Sequence, residues 1–391
     1  MEIKDINISK SSSSDDKSSL DSLDSILNSI PMMNLFFDTI DLQNISYEDE
    51  TIKALYKDDS IFVDSKYLTL KTRIVSYKNR HVVLGIDELI LKDYKANLNG
   101  TLDADLANDI YSTNIDFGLY GINGNASVTS DGRFVNFEVS TNKVNSIDDF
   151  MDNLRLHVNL SEETANWIYK DIKASSYQII SLNGKVDTYK NSVDLLEIGG
   201  KAIAKDVNVT FDKSLPAATI ELVDIDFRDG GLFFNPTNTT YDGIVVNNAS
   251  VAIENLIANN KDITIGINIA TTNAKLDKKI HNILTAFNVT VPVYQLSGNT
   301  DANLTLLITP EPFALDINGL FKVTNANITR ANVSMYTPIA NVKLNNTNIT
   351  INDSTLVMKP IFNITADTFL DIEKQVMYSN ATINSFKVEA G

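Results

Sequence analysis

From about residue 60 onward, apolar and polar residues alternate, and a period of two sustained over that length leaves few folds open. Phe62-Val63-Asp64 with Tyr67-Leu68-Thr69-Leu70, Val82 to Leu91, Val207-Asn208-Val209-Thr210-Phe211, and Ile263-Thr264-Ile265-Gly266-Ile267-Asn268-Ile269 each send every second side chain to one face of a strand. One face suits an apolar neighbour, and the other, rich in Asn and Thr, suits water. If about 330 residues form strands and turns at roughly 13 residues each, about 25 strands result, and at about 4.8 Å apiece their sheet is on the order of 120 Å long. A closed eight-stranded barrel cannot use that many. The expectation is a mainly β chain built as a long, bent, open antiparallel sheet, or as several smaller sheets.

Such a chain must turn often, yet it holds only 16 Gly and 8 Pro in 391 residues. Asn, Asp, Ser and Thr must therefore make the turns, since Asn and Asp tolerate left-handed backbone and cap turns with their side chains. Asp229-Gly230-Gly231 reads as a hairpin turn between Val223-Asp224-Ile225-Asp226-Phe227 and Leu232-Phe233-Phe234. An apolar residue, any residue, then Gly recurs at Leu98-Asn99-Gly100, Ile122-Asn123-Gly124, Leu182-Asn183-Gly184, Ile198-Gly199-Gly200, Leu296-Ser297-Gly298 and Ile317-Asn318-Gly319. Glycine inside a strand marks a bulge, a bend or a close backbone approach, so these positions are expected to curl the sheet into a trough. Their spacing is too irregular for a fixed-period solenoid.

Helical spacing interrupts the alternation in a few places. After a short first strand and a Ser/Asp/Lys-rich loop from Ser9 to Ser19, Leu20, Leu23, Ile26, Leu27 and Ile30 predict a helix near 19–30 that Pro31 ends. Further helices are expected over Ser146–Leu154, over 161–173 with Ser161 as N-cap, and over 273–288 with Leu276, Ile280, Ile283, Leu284 and Phe287 on one stripe.

Composition excludes more chemistry than it suggests. A net charge of −17 and an isoelectric point near 4.6 repel nucleic-acid phosphates, and with no polybasic cluster the chain does not dock flat on an anionic membrane. Without cysteine there is no thiol nucleophile, disulfide or thiolate metal site. His81, His157 and His281 have no second histidine at metal-ligand spacing, and no nucleophile elbow, P-loop or dinucleotide fingerprint occurs. Asp103-Ala104-Asp105 with Asn108-Asp109 carries oxygens that calcium favours but lacks the loop Gly and closing Glu of an EF-hand. No enzyme, cofactor or metal site is expected. The chain shows neither a signal peptide nor about 18 consecutive apolar residues.

Several phrases carry a family resemblance. Ala165-Asn166-Trp167-Ile168-Tyr169-Lys170-Asp171-Ile172-Lys173-Ala174 and Tyr177-Gln178-Ile179-Ile180-Ser181-Leu182-Asn183-Gly184-Lys185-Val186-Asp187, then Leu232-Phe233-Phe234-Asn235-Pro236, Tyr241-Asp242-Gly243 and Pro292-Val293-Tyr294-Gln295-Leu296-Ser297-Gly298-Asn299-Thr300-Asp301-Ala302 resemble the central region of YhdP-like proteins of the AsmA-like superfamily, especially epsilonproteobacterial members. The resemblance implies a repeating, taco-like β-groove with an N-terminal β-groove segment over 1–160 and a YhdP-like central region over 161–391. It further implies a periplasmic protein anchored to the inner membrane by a segment outside this sequence, so that the chain reads as a fragment. The function implied is non-enzymatic transport of phospholipid between inner and outer membrane, with acyl chains as ligand and membrane proteins at either end as partners. The apolar alternate positions Val223, Ile225 and Phe227, and Leu304, Leu306 and Ile308, are then candidates to line the groove. The same alternation also fits a closed sandwich core, and the alternative function is an elongated structural or adhesive surface protein.

Overall fold

A computed structural model of the chain describes residues 2–8, 27–29, 36–47, 50–158, 170–189, 192–193, 195–256, 262–272, 274–286, 291, 293–310, 312–330 and 333–387. Twenty-four strands dominate these residues, as the alternation predicts. The first ten are β1 (Glu2–Ile8), β2 (Thr39–Tyr47), β3 (Glu50–Lys57), β4 (Ser60–Asp64), β5 (Leu68–Lys78), β6 (His81–Leu91), β7 (Ala96–Asp105), β8 (Ile110–Leu119), β9 (Ile122–Ser130) and β10 (Phe134–Thr141). Helix α1 (Asp148–Val158) leads to the two-residue β11 (Ile172–Lys173), β12 (Ser176–Asp187), the two-residue β13 (Ser192–Val193), β14 (Gly199–Val209) and β15 (Ala218–Arg228). Then follow β16 (Gly231–Tyr241), β17 (Ile244–Glu254), β18 (Thr264–Thr271), helix α2 (Lys278–Ala286) and β19 (Tyr294–Thr309). The last strands are β20 (Ala314–Arg330), β21 (Val333–Asn345), β22 (Asn348–Met358), β23 (Phe362–Asp371) and β24 (Val376–Phe386). No described helix is long and apolar enough to cross a membrane.

The chain packs as two units, one of Met1–Leu160, Ser176–Ala202 and Phe227–Asp229, the other of Ser161–Ser175, Ile203–Asp226 and Gly230–Gly391. In the first unit β2 to β10 pair with their sequence neighbours as antiparallel hairpins, and β12 takes the next place beside β10. Only β1, laid parallel on β2, departs from this. In the second unit β16 to β24 pair antiparallel in strict chain order. Among the described residues no pairing returns from the last strand of either series to its first, so each is an open sheet rather than a barrel.

The turns are those that the low glycine count demands. Asp58 and Asp59, Asn79 and Arg80, Asp229 and Gly230, and Asp242 and Gly243 take positive φ in consecutive pairs. Two left-handed residues in a two-residue loop match the twist of the flanking strands. Longer turns are tied by carboxylates: Asp105 accepts from the N–H groups of Ala107 (3.0 Å) and Asn108 (3.3 Å), and Asp131 from Arg133 (3.1 Å) and Phe134 (2.7 Å). These bonds hold both carboxyls below the ordinary aspartate range, for Asp105 chiefly through the Asn108 side chain.

Of the expected helices, residues 27–29 are helical and Leu27 is 1% exposed, while the rest of 19–30 lies outside the described residues. Leu27 closes a core cluster with Val82 and Leu84 of β6, Ala104 and Leu106 at the end of β7, and Tyr111 of β8. Ser146 caps α1 by accepting from the Asp148 N–H at 3.2 Å. The helix expected over 161–173 falls outside the described residues up to 169, and its last two residues are instead strand, Ile172 and Lys173 pairing with Val209 and Asn208. The helix expected over 273–288 begins only at Lys278, because Asp277 caps it by accepting from the Lys279 N–H at 2.8 Å. Before that cap the chain is irregular but stays bonded to β19, with Ala274 N–H donating to Thr300 O and Gln295 N–H to Leu276 O, both at 2.9 Å.

Candidate functional site

Cross-strand pairs stand on one face of a sheet, so the registers show what each face presents. In the first unit Val82, Ala104, Tyr111, Ser130, Val135 and Val186 form one row across six strands, and Leu84, Leu102, Thr113, Val128, Phe137 and Gly184 form the next. The row between them on the opposite face reads Val83, Asp103, Ser112, Thr129, Asn136 and Lys185. Along these rows a period of two thus separates an apolar face from a hydrated one across six strands.

The second unit repeats this division. Leu232, Ile253, Ile265, Ile308 and Leu315 make one row, and Phe234, Val251, Ile267, Leu306 and Ile317 the next. A third, Ala249, Ile269, Leu304, Gly319, Leu344, Ile349, Leu370 and Met377, crosses eight strands. The opposite face carries Ser250, Asn268, Thr305, Asn318, Asn345, Asn348 and Asp371. Its side chains bond across strands, Asn268 donating to Ser250 Oγ (3.3 Å) and accepting from Thr305 (3.0 Å).

Leu304, Leu306 and Ile308 therefore share the apolar face, each between an isoleucine of β18 and a residue of β20. All three are half-buried, whereas Leu315 and Met377 in the same rows are 38% and 64% exposed. Val223, Ile225 and Phe227 alternate along β15, Val223 buried to 6% and the other two half-buried. Nothing among the described residues seals the rows of β16 to β24 as a second sheet would, and the apolar surface stays partly open.

Through the second unit runs a crease. Asp206, Asn238, Asn325 and Asp353 take φ of 50°, 54°, 48° and 50° within β14, β16, β20 and β22, and Gly298 of β19 takes 87°. Registers slip beside Gly298 and Asp353, and at Asn247 of β17, as expected where a strand gains one residue. The residue after each left-handed Asx is buried: Val207 to 3%, Thr239 to 8%, Ala326 to 0% and Ser354 to 5%.

The repeated glycines meet the expectation of a bend or a close backbone approach in different ways. Of the six motif glycines only Gly100 and Gly298 take positive φ. A Cβ on Gly184 would meet the Phe137 ring at 2.6 Å, and one on Gly124 the Phe117 ring at 2.8 Å. Each ring belongs to the residue directly opposite, so Gly184 seats a phenylalanine on the apolar face, while at Gly124 the Ser140 carbonyl oxygen comes closer still, 2.2 Å from that Cβ, a close backbone approach beside the ring.

Alternation also misplaces one part of β19. Counting by twos from Leu304 predicts Leu296 on the apolar face and Gln295 on the polar one. The slips at Ser297 reverse this, leaving Leu296 59% exposed and Gln295 buried to 5% on the row of Ile328 and Met335. Close by, α2 is held by an ion pair of Lys279 with Asp242 (3.6 Å) and by His281 stacked on Tyr294, ring centroids 3.9 Å apart. The carboxylates once weighed for calcium are engaged elsewhere, Asp103 with His81 at 2.7 Å and Asp105 in its turn. No group of three His, Asp or Glu able to hold a metal occurs among the described residues.

The class of protein is thus a mainly β chain of open antiparallel sheet that keeps one apolar face in register and partly uncovered. The family model described as YhdP protein matches residues 157–382, more than half of the chain, and the chain belongs to that family. Comparison with curated proteins and with solved structures found no match.

Proposed function

We propose that this protein carries phospholipid across the periplasm between the inner and outer membranes, its apolar face holding the acyl chains, in support of outer-membrane lipid homeostasis. The observation that carries this reading is the set of apolar rows that run in register across β16 to β20 and, apart from the buried Ile253, stay half-buried or exposed. A core would close over such residues, and a purely structural strand array would have no use for leaving them open. Each methylene taken out of water contributes about 0.8 kcal/mol, so two tails bind firmly without a polar contact. Successive strands present similar walls, Ile265, Ile267 and Ile269 beside Ile308, Leu306 and Leu304. Moving a chain from one strand to the next therefore changes its energy little, and the protein needs no chemical step.

In this reading the full-length protein is tethered to the inner membrane and works with membrane proteins at both ends. Family membership and the apolar rows support it. Organic extraction of the purified chain, followed by phosphate assay, tests it. Phospholipid at one or more molecules per chain is the expected result, and a chain free of lipid after mild purification rejects the proposal.

A further inference from the structure

Among the described residues two buried side-chain polar atoms lack a hydrogen-bond partner, Thr239 Oγ1 and Gln295 Nε2. Gln295 is the more informative because its orientation is determined. Its Oε1 accepts from the Leu276 N–H at 3.2 Å and from the Thr300 hydroxyl at 2.6 Å. Turning the amide over would set its NH₂ against the Leu276 N–H, donor against donor. The Nε2 hydrogens therefore point one way, from a residue only 5% exposed, with no acceptor to receive them. A buried donor in that state costs free energy until an acceptor arrives.

The register adds what kind of acceptor fits. Gln295 stands in the row of Ile328 and Met335, on the strand that carries Leu304, Leu306 and Ile308 on the same face. An acyl chain lying along those leucines ends, at its polar end, in an ester carbonyl. A neutral amide suits that neutral oxygen, whereas a phosphate in an apolar row calls for a charged donor.

We propose that Gln295 Nε2 donates a hydrogen bond to the ester carbonyl of a phospholipid whose tails lie on the apolar face, a polar foothold that sets where the lipid stops. This rests on the lipid-carrying reading. It predicts a preference that the apolar rows alone cannot give, for ester-linked over ether-linked lipid.

The test is competition, read by native mass spectrometry, between dioleoyl phosphatidylethanolamine and its dialkyl ether analogue at equal concentration. One neutral hydrogen bond corresponds to about a fivefold preference, and the wild-type chain is expected to hold the ester lipid in about that excess. Gln295→Met should hold the two lipids in equal amounts. If that variant does not fold by circular dichroism, Gln295→Glu replaces it, read at a pH where the carboxylate is ionised, since Glu keeps an oxygen facing Leu276 and Thr300 and puts a charged acceptor in place of the donor. Equal occupancy by the two lipids in the wild type, or a preference that survives in the variant, overturns the proposal and leaves Nε2 to water. Failure of the wild type to bind either lipid overturns the lipid-carrying reading, and this one with it.

Discussion

Left-handed backbone inside a strand costs an ordinary L-residue about 1–2 kcal/mol, and Asn and Asp bear it more easily than others. This explains why a glycine-poor chain can still crease its sheet, with Asn238, Asn325 and Asp353 at φ near 50°. Asn325→Val should lower stability by about 1–2 kcal/mol in urea denaturation, while Asn325→Gly should change it far less. The glycines divide by the same logic. Gly298 combines a φ of 87° with backbone 2.4 Å from where a Cβ would sit, so Gly298→Ala has no relaxation open to it. Gly184→Ala presses on side chains alone, the Phe137 ring and Ile198, and should cost about 1–3 kcal/mol. Gly266 has nothing within 4 Å, and Gly266→Ala should be neutral or gain roughly 0.4–1 kcal/mol. The sequence motif of apolar, any residue, Gly picked out places where glycine is needed. It could not tell a bend from a seat for a ring, because the ring comes from the neighbouring strand.

At the level of elements, period two made the strands, their number and their two faces legible, since every side chain on a regular strand obeys it. It failed where a strand gains a residue. Gln295 and Leu296 exchange faces beyond such a point, and nothing in the local sequence reveals the exchange except Gly298, whose role depends on Asn325 across the sheet. The helix start expected at residue 273 is too early for a related reason: the stripe of Leu276, Ile280, Ile283 and Leu284 is helical in spacing, but Leu276 is bonded to Gln295 of β19, and the helix waits for the Asp277 cap. Asp277→Ala should therefore weaken α2 by about 1 kcal/mol. Hydrogen exchange over 278–286 should quicken while that of β19 to β21 stays unchanged.

Across the whole chain the acidic balance sets behaviour with pH. Asp64, Asp105, Asp131, Asp212 and Asp371 are all held below the ordinary carboxylate value of 3.8, each by hydrogen bonds to its ionised form. Groups depressed in the folded state contribute their full stability above the unfolded value and lose it as pH falls toward the folded one. Thermal denaturation should thus be nearly constant from neutral pH down to about 4 and should fall below 3.8. Asp105 ties a surface turn, so Asp105→Asn should reduce the acid limb without abolishing the fold.

The central claim is that the apolar rows are an open lipid-facing surface and not a core. A photoreactive amino acid placed at Leu306 or at Thr305, neighbours on opposite faces of β19, tests it most directly in cells. The account predicts phospholipid crosslinks from position 306 and few from 305, with Leu306→Asp still folded but depleted of lipid. Equal labelling at both positions, absence of lipid adducts at 306, or unfolding of Leu306→Asp as a buried core residue would contradict it.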